Sequence, residues 1–237
     1  MFTLFFVPPE ELQKEVIALI GPEARHAISV LRVQSGEQIR LADGLGNWAE
    51  GPVTSVVKGS LTIAVMARGV DRANTTSITV AQALLKGDNQ KAALDQLVQA
   101  GVDSILPWRS SRSIGAADKS EKWRDSIYAA AKQSRQSKIP ALELMVDFTE
   151  LVRNVSRFDK VIALHESASH RLTGSAGWDR CSNLLIIVGP EGGLSDEELS
   201  ALGAAGAELI RLGDPVIRAD LAGALALGAI HALTGNW

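Results

Sequence analysis

The stretch IIVGPEGGLSDEE, residues 186–198, decides the fold because an apolar run ends abruptly in a glycine-rich loop. Residues 186–188 are β-branched, as expected for a parallel strand that is covered on both faces. Ser195 is a typical helix N-cap, and Glu198 completes a Ser-x-x-Glu capping box. The stretch therefore predicts a strand, a loop and a helix, and open α/β sheets bind ligands at such strand ends.

The loop itself indicates which kind of ligand it suits. Its glycines, Gly189, Gly192 and Gly193, allow positive φ angles and let another molecule approach the main chain. Glu191 and the acidic residues 196–198 disfavour a phosphate, and the loop matches neither GxxxxGK[ST] nor GxGxxG. A neutral or cationic ligand fits better. The alternative is an ordinary strand-to-helix connection that uses glycines for tight geometry.

The composition is typical of a soluble globular protein with one large or two modest domains. The chain has 237 residues, of which 46% are hydrophobic and 22% charged. No apolar run approaches the roughly 20 residues that span a bilayer, and the start MFTLFFVPPEEL lacks the basic region of a signal peptide. The single cysteine, Cys181, excludes an internal disulfide and a cysteine-rich metal site. We therefore expect a cytoplasmic protein with no membrane segment and no metal.

The charge distribution is uneven along the chain. The net charge is −3, which argues against indiscriminate binding to nucleic acid. Residues 107–140 nevertheless carry eight basic and three acidic side chains, a local charge of +5. A solvated helix face is the common explanation of such a run, and an anionic partner is the alternative.

The pattern divides the chain into two domains of different character. Residues 1–72 resemble a small β-barrel-like module, with one helix over 22–33 and strand-like segments over 38–42, 49–57 and 60–67. The polar sequence DRANTTS, residues 71–77, reads as a connection. We place the linker at 73–77 and the second domain at 78–237.

In the second domain, strand-like and helix-like segments alternate, which predicts an α/β fold with a mainly parallel sheet and helices on both faces. The predicted strands are 78–85, 102–107, 160–164, 184–188 and 207–212. The predicted helices are 88–100, 119–136, 148–155, 196–205 and 219–233. Ten of the thirteen residues over 221–233 are Ala, Leu or Ile, so we expect that helix to be buried on all sides, in the core or against a second subunit. His231 within it is interpreted as a hydrogen-bonded core residue.

Three strand-end loops carry a resemblance to a known family: ALHES (163–167), VGPEGGLS (188–195) and RLGDPVIRADLAG (211–223). Their order and chemistry resemble the SPOUT superfamily of RNA methyltransferases, and more closely the RsmE-type family, which methylates N3 of a uridine in 16S ribosomal RNA. The segments RHAISVLRVQSGEQIRLADGLGNW (25–48), LLKGD (84–88), AGVDSILPWRSSRSI (100–114) and AAKQSRQSKIP (130–140) are similar to further family motifs. Nearly the whole chain is covered.

The resemblance implies a PUA-like first domain for RNA binding, a SPOUT-type second domain with a deep trefoil knot, and a homodimer. It also implies S-adenosylmethionine as cofactor, whose sulfonium cation agrees with the acidic helix start, and 16S rRNA within the small ribosomal subunit as partner. The cofactor-binding residues it implies are Leu164, His165, Glu166, Gly189, Pro190, Glu191, Gly192, Gly193, Leu212, Gly213, Val216, Ile217 and Arg218.

For catalysis, Arg218 is the first candidate, because an arginine at the uracil edge would stabilise the anion that forms when N3 loses its proton. Asp220 and Glu191 are candidates for the general base. A structural Arg218, paired with Asp220 or Asp214, is the alternative. Candidate phosphate contacts are Arg25, Arg32, Arg109, Arg112 and Arg135.

The family pattern is not matched everywhere, and this keeps a second function open. Ala219, Asp220 and Leu221 differ from the residues common in the family. A non-catalytic RNA-binding or ribosome-assembly protein with the same fold is therefore the alternative function. A phosphate- or nucleotide-binding metabolic enzyme is disfavoured by the acidic start of the helix that follows the glycine loop.

Overall fold

The computed structural model describes residues 2–113 and 120–237. Two compact units are present. The first contains Met1–Ala73 and Ala131–Ile139, and the second contains Asn74–Ala130 and Pro140–Trp237. Asp118 and Lys119 of the basic segment lie outside the described residues.

The first unit is built on a curled six-stranded sheet. Its strands are β1 (Thr3–Phe6), β2 (Val16–Ile20), β3 (Gln38–Ala42), β4 (Asn47–Val57), β5 (Ser60–Ala64) and β6 (Ala67–Val70). They follow the order β1-β3-β4-β5-β2, with β6 paired to β4; β1 and β3 are parallel, and the other pairs are antiparallel. Their alternating apolar residues, such as Ile39 and Leu41, form a buried core.

The sequence predicted three of these strands and missed β1, β2 and β6, each of which is only four or five residues long. The predicted helix over 22–33 is α1 (Gly21–Arg25), which continues as a π-helical turn over His26–Val30. A 3-10 turn over Pro9–Gln13 was also missed.

The segment Ala131–Ile139 belongs to the first unit although it lies far from it in sequence. Lys132 Nζ forms an ion pair with Glu23 at 2.7 Å. The backbone N–H of Ser137 donates to Asp71 at 3.1 Å, and that of Ile139 donates to the carbonyl of Gly44 at 2.9 Å. The sequence did not predict this attachment, because local patterns do not reveal contacts between such distant segments.

The second unit contains an eight-stranded sheet in which every pairing is parallel. Its strands are β7 (Ser77–Ala83), β8 (Ser104–Arg109), β9 (Ala141–Leu142), β10 (Val146–Asp147), β11 (Lys160–Leu164), β12 (His170–Arg171), β13 (Asn183–Val188) and β14 (Glu208–Arg211). The order is β10-β8-β7-β13-β11-β14-β12, with β9 paired to β8. The predicted parallel sheet is confirmed, and the strands that the sequence missed, β9, β10 and β12, have two residues each.

The helices of this sheet are α2 (Asp88–Gln99), α3 (Ser120–Gln133, whose last turn counts with the first unit), α4 (Phe148–Asn154), α5 (Asp196–Ala204) and α6 (Ala219–Thr234). Successive residues of β7 point to opposite faces. Ala81 packs in a core with residues of α4 and α5. Val80 faces the other way, toward Gly223 of α6 and Leu97 of α2. Both faces of the sheet are therefore covered, as predicted.

The prediction that the last helix is buried on all sides is wrong for the single chain. Ala226, Leu227 and Ile230 are fully buried, but Leu221 and Leu225 are 40% and 46% exposed, and Leu233 is exposed as well. His231 is a buried, hydrogen-bonded residue as predicted: its Nε2 lies 3.2 Å from the Gly101 carbonyl oxygen and its Nδ1 lies 3.1 Å from Asn236 Nδ2. Across the described ranges, no helix combines the length and apolarity needed to cross a membrane.

Candidate functional site

The loops after β11, β13 and β14 meet at the carboxyl end of the sheet and line a cavity of about 380 Å³. These three strands are neighbours, since β11 pairs with both β13 and β14. All thirteen residues predicted to bind the cofactor line this one cavity: Leu164, His165, Glu166, Gly189, Pro190, Glu191, Gly192, Gly193, Leu212, Gly213, Val216, Ile217 and Arg218. Their role as cofactor ligands stays a prediction.

The glycine loop differs in detail from the expectation. Only Gly193 has a positive φ, +69°, and its backbone N–H donates to the Pro190 carbonyl at 2.9 Å in a tight turn. Gly189 and Gly192 do not use this conformational freedom. Gly189 is needed for space instead, because a Cβ there would lie 3.2 Å from the side chain of Leu194.

Trp108 supports the strand end that leads into the glycine loop, and sequence patterns did not identify this residue. The indole is fully buried, and its Nε1 donates to the carbonyl oxygens of Val188 at 3.1 Å and Ala81 at 3.2 Å. A buried tryptophan needs an acceptor for its N–H. The hydrogen bonds of this indole hold the end of β13, immediately before the glycine loop.

Glu191 is tied to the start of α2. Its Oε1 accepts from the backbone N–H of Lys86 at 3.0 Å and from Asn89 Nδ2 at 2.9 Å. Burial alone would raise the pKa of Glu191, but these hydrogen bonds outweigh burial and hold the pKa below its ordinary value. The carboxylate is thus anionic near neutral pH and a weak proton acceptor.

Arg218 and Asp220 form an ion pair at the start of α6. Nε of Arg218 donates to Asp220 Oδ1 at 2.9 Å, and Nη2 donates to Oδ2 at 2.6 Å. The Arg218 side chain is 72% exposed, whereas that of Asp220 is 6% exposed. Hydrogen bonding and charge from Asp220 raise the pKa of Arg218. The buried carboxylate therefore orients an exposed guanidinium at the cavity wall.

Asp214 lies in the loop after β14 and forms ion pairs with arginines other than Arg218. It accepts from Arg171 at 2.7 Å and lies 3.7 Å from Arg211 Nη2. Arg211 also lines the cavity, and its buried Nε has no hydrogen-bond partner among the described residues. Arg211 was not predicted as a site residue, although its place directly before Leu212 at the end of a strand is the signal that could have found it.

The predicted RNA-binding arginines fall in both units. Arg25, Arg32 and Arg135 are exposed residues of the first unit, and Arg109 and Arg112 are exposed residues of the second. Arg32 and Arg135 have positive φ angles of 56° and 58°, which is uncommon outside glycine. Arg112 contacts the candidate cofactor loop, since its Nη1 donates to the carbonyl of Gly192 at 2.9 Å.

Known proteins with similar sequences carry the same two parts. The sequence profile of the RNA methyltransferase domain matches residues 72–231, and that of the RNA methyltransferase PUA domain matches residues 19–66. Ribosomal RNA small subunit methyltransferase E of Mycobacterium bovis is 34% identical, over 99% of this chain and 93% of that protein. The protein of the same name from Bacillus subtilis is 27% identical, over 90% and 88%.

The chain belongs to the ribosomal RNA small subunit methyltransferase E family.

Solved structures agree with this membership. A Legionella pneumophila protein that was crystallised with its cofactor S-adenosylmethionine is 25% identical, with a TM-score of 0.86 and coverage of 98% of each chain. Ribosomal RNA small subunit methyltransferase E from Neisseria gonorrhoeae, at 24% identity and with 98% of each chain covered, superposes with a TM-score of 0.87 and supports the fold. The predicted SPOUT-type fold with a PUA-like first domain is confirmed. Like its family, the chain is an enzyme of the methyltransferase class.

Proposed function

We propose that this family member transfers a methyl group from S-adenosylmethionine to N3 of a specific uridine in 16S rRNA of the small ribosomal subunit. The observation that carries the proposal is the convergence of thirteen predicted cofactor residues, from three separate loops, on one cavity. The family resemblance implies these residues from three separate segments of the sequence, and their meeting at one cavity supports the proposal. The names of the relatives support the substrate class.

The cavity suits S-adenosylmethionine in size and charge. Its volume of about 380 Å³ is within the range of sites for small molecules. Glu191 and the acidic first turn of α5, Asp196–Glu198, oppose a phosphate and favour a cationic ligand. The loops after β11, β13 and β14 would hold the cofactor mainly through backbone groups. When bound, it supplies an electrophilic methyl group.

Arg218 is the residue that we assign to transition-state stabilisation. Uracil N3 must lose a proton before it can attack a methyl group, and negative charge then spreads onto O2 and O4. An exposed guanidinium at the cavity wall can donate to that oxygen edge. Asp220 would keep the guanidinium in place, because both of its carboxylate oxygens accept from Arg218.

Asp220 and Glu191 are better suited to positioning than to proton abstraction. Both oxygens of Asp220 are engaged by Arg218, and the pKa of Glu191 is lowered by its bonds to Lys86 and Asn89. We assign Glu191 to fixing the glycine loop relative to α2. Removal of the N3 proton would then depend on solvent or on the RNA, once the guanidinium has made N3 more acidic.

Both units would contact the RNA. The first unit offers exposed cations for phosphate contacts that do not depend on the RNA sequence, namely Arg25, Arg32 and Arg135. This assignment agrees with the match to the RNA methyltransferase PUA domain. Arg109 and Arg112 would contact RNA from the second unit, where Arg112 also touches the glycine loop. We retain 1–72, 73–77 and 78–237 as the division into RNA-binding domain, linker and methyltransferase domain.

A homodimer is part of the proposal. The exposed Leu221, Leu225 and Leu233 lie on one stripe of α6, spaced by multiples of four residues, and a second copy would cover them. Sedimentation velocity at micromolar concentration should give a dimer, and Leu225→Glu should shift it to a monomer. A wild-type monomer would refute this part. We also carry over the deep trefoil knot and a cytoplasmic location, where ribosomal subunits are made.

The decisive experiment is mass spectrometry of 16S rRNA from a strain that lacks the chain, compared with the same strain after complementation. The proposal predicts one methyluridine that disappears and is restored. An unchanged rRNA together with a defect in subunit assembly would favour the alternative, a non-catalytic RNA-binding protein. The Arg218→Ala chain, expressed in the same strain, should fail to restore the modification.

A further inference from the structure

Glu198 is a buried carboxylate whose contacts exceed those of a helix cap. Its side chain is 3% exposed and lies in the first turn of α5, directly after the glycine loop. Oε2 accepts from the Ser195 N–H at 2.9 Å, and Ser195 Oγ accepts from the Glu198 N–H at 3.2 Å, which completes the predicted capping box. Oε1 accepts from the Ser111 N–H at 2.8 Å and from Ser110 Oγ at 2.9 Å. A capping box requires only the bonds to Ser195.

The bonds to Ser110 and Ser111 fix the segment that follows β8. The next residue, Arg112, returns to the glycine loop: its Nη1 donates to the carbonyl oxygens of Gly192 at 2.9 Å and Leu194 at 3.3 Å. Gly192 and Leu194 both line the cavity. The same two segments are therefore joined at two points, a buried one at Glu198 and an exposed one at Arg112.

We propose that Glu198 is a positioning residue for the cofactor cavity and acts through Arg112. By holding Ser110 and Ser111, its carboxylate places the Arg112 guanidinium where it fixes the outer carbonyls of the glycine loop. The ligand named in this inference rests on the proposed function. Arg112, which is also a candidate phosphate contact, would then influence cofactor affinity as well, because it fixes the cavity wall.

A purely structural capping role is the competing explanation, and Ser195 separates the two. Ser195→Ala removes the bond between Ser195 Oγ and the Glu198 N–H but leaves the bonds from Ser110 and Ser111 in place. Glu198→Gln keeps the size of the side chain, but its amide nitrogen cannot accept a hydrogen bond, so one of the buried N–H groups loses its partner. Both variants weaken the cap, and of the two only Glu198→Gln can also remove the acceptor of Ser110 and Ser111.

The test is calorimetric titration of the full chain with S-adenosylhomocysteine. We expect Glu198→Gln to bind about tenfold more weakly than wild type, the scale of one lost hydrogen bond to a charged group. Ser195→Ala should stay within about twofold, although it unfolds at a lower temperature. Equal affinities for Glu198→Gln and wild type, or equal losses in both variants, would overturn the inference.

A double-mutant cycle tests whether Glu198 acts through Arg112. Arg112→Ala should also bind about tenfold more weakly, and the double variant Glu198→Gln/Arg112→Ala should bind no more weakly than Arg112→Ala alone. Additive losses would show that Glu198 acts by another route and would refute the proposed connection. If Glu198→Gln does not fold, Ser110→Ala, which removes one donor to the same carboxylate, takes its place in the cycle.

A measurement without ligand keeps the inference separate from the proposed function. Amide hydrogen exchange over residues 192–194 should be faster in Glu198→Gln than in Ser195→Ala, because only the former releases the loop from Arg112. A wild-type chain that does not bind S-adenosylhomocysteine would refute the proposed cofactor. The exchange rates would then decide the inference: similar rates in the two variants overturn it, and faster exchange in Glu198→Gln supports it.

Discussion

The two ends of the parallel sheet in the second unit each hold a cavity, and their chemistry differs. The carboxyl-end cavity, of about 380 Å³, is lined by three loops and by the exposed guanidinium of Arg218. The amino-end cavity, of about 330 Å³, is lined by the first residues of the strands, among them Lys160 and Glu208. Similar volumes thus occur at both ends, so volume alone does not indicate function.

At the amino end the charged groups satisfy one another. Lys160 Nζ forms an ion pair with Glu208 at 2.6 Å and lies 4.9 Å from the ring centre of Trp178. Glu208 also accepts from Ser175 Oγ at 2.5 Å. Burial would raise the pKa of Glu208, but the bonds from Lys160 and Ser175 lower it overall. In this closed network both charges of the pair are engaged by other side chains.

The two ion pairs differ in which member is exposed, and this difference is what the comparison teaches. Asp220 is buried, yet its partner Arg218 is 72% exposed and can donate to a ligand without leaving the carboxylate. At the amino end the cation is the buried partner, since the Lys160 side chain is only 10% exposed. An ion pair can therefore contribute to ligand binding when the exposed member of the pair lines the ligand cavity.

The largest expected effect is on Arg218. Arg218→Ala should reduce methyl transfer by about two to three orders of magnitude, the scale observed when one donor to a developing anion is removed. Most of the cofactor affinity should be retained, whereas the unfolding temperature should fall, because the buried Asp220 carboxylate loses its partner. Single-turnover assays with small ribosomal subunits measure the rate.

Lys160→Met is the matched control at the amino end, because it also removes the cation of an ion pair. It should lower the unfolding temperature and leave the rate within about twofold, as distant sites are usually independent. If Arg218→Ala methylates at near wild-type rate, the guanidinium is structural, and the contrast between the two ion pairs has no catalytic meaning.

A second test compares two glycines with positive φ, one at each cavity. Gly193 has φ +69° and Gly206 has φ +101°, and an added Cβ would meet nothing within 4 Å at either position. Valine at either position strains the backbone by about 1–3 kcal/mol. Gly193→Val should also weaken S-adenosylhomocysteine binding by tenfold or more, because the cavity loop must rearrange. Gly206→Val should not. Equal affinities in calorimetry would remove the glycine loop from the site.

The sequence predicted which loops line the cavity more completely than it predicted the short strands around them. Because parallel strands end at one edge, residues in three strand-end loops had to come close together, and the motifs named which residues these were. The capping box of Ser195 and Glu198 was predicted from local spacing and is present. The contacts of Glu198 with Ser110 and Ser111, about 88 positions away, have no local signature.

The features that the sequence did not predict have related physical causes. The short strands β9, β10 and β12 contain two residues each, too few for a periodic pattern. The loop sequence indicated conformational freedom at three glycines, but Gly189 is required by the proximity of Leu194, a tertiary contact. The trefoil knot comes only from the family resemblance, since hydrophobic periodicity carries no information about threading.

A third prediction tests the contribution of the first unit to RNA binding. The double variant Arg32→Ala/Arg135→Ala should weaken RNA binding and reduce the slope of log affinity against log salt by about one to two. Cofactor affinity should be unchanged within about twofold. Fluorescence anisotropy with an rRNA fragment at several salt concentrations measures the slope. An unchanged slope would move the phosphate contacts to the second unit.

The smallest expected effect concerns the closed network at the amino end. Glu208→Gln should lower the free energy of unfolding at pH 7 by about 0.5–1 kcal/mol. The value is modest because the Glu208 side chain is 47% exposed and screened by solvent.

The effect of Glu208→Gln should depend on pH, because the folded-state pKa of Glu208 is lowered. The contribution of Glu208 to stability is present above the unfolded pKa of about 4.3 and is lost as the pH falls through the folded value. The difference in urea midpoints between Glu208→Gln and wild type should therefore shrink below about pH 4, while methyl transfer at neutral pH stays at the wild-type rate. A loss of activity in Glu208→Gln without a loss of stability would mean that the amino-end cavity also serves the reaction.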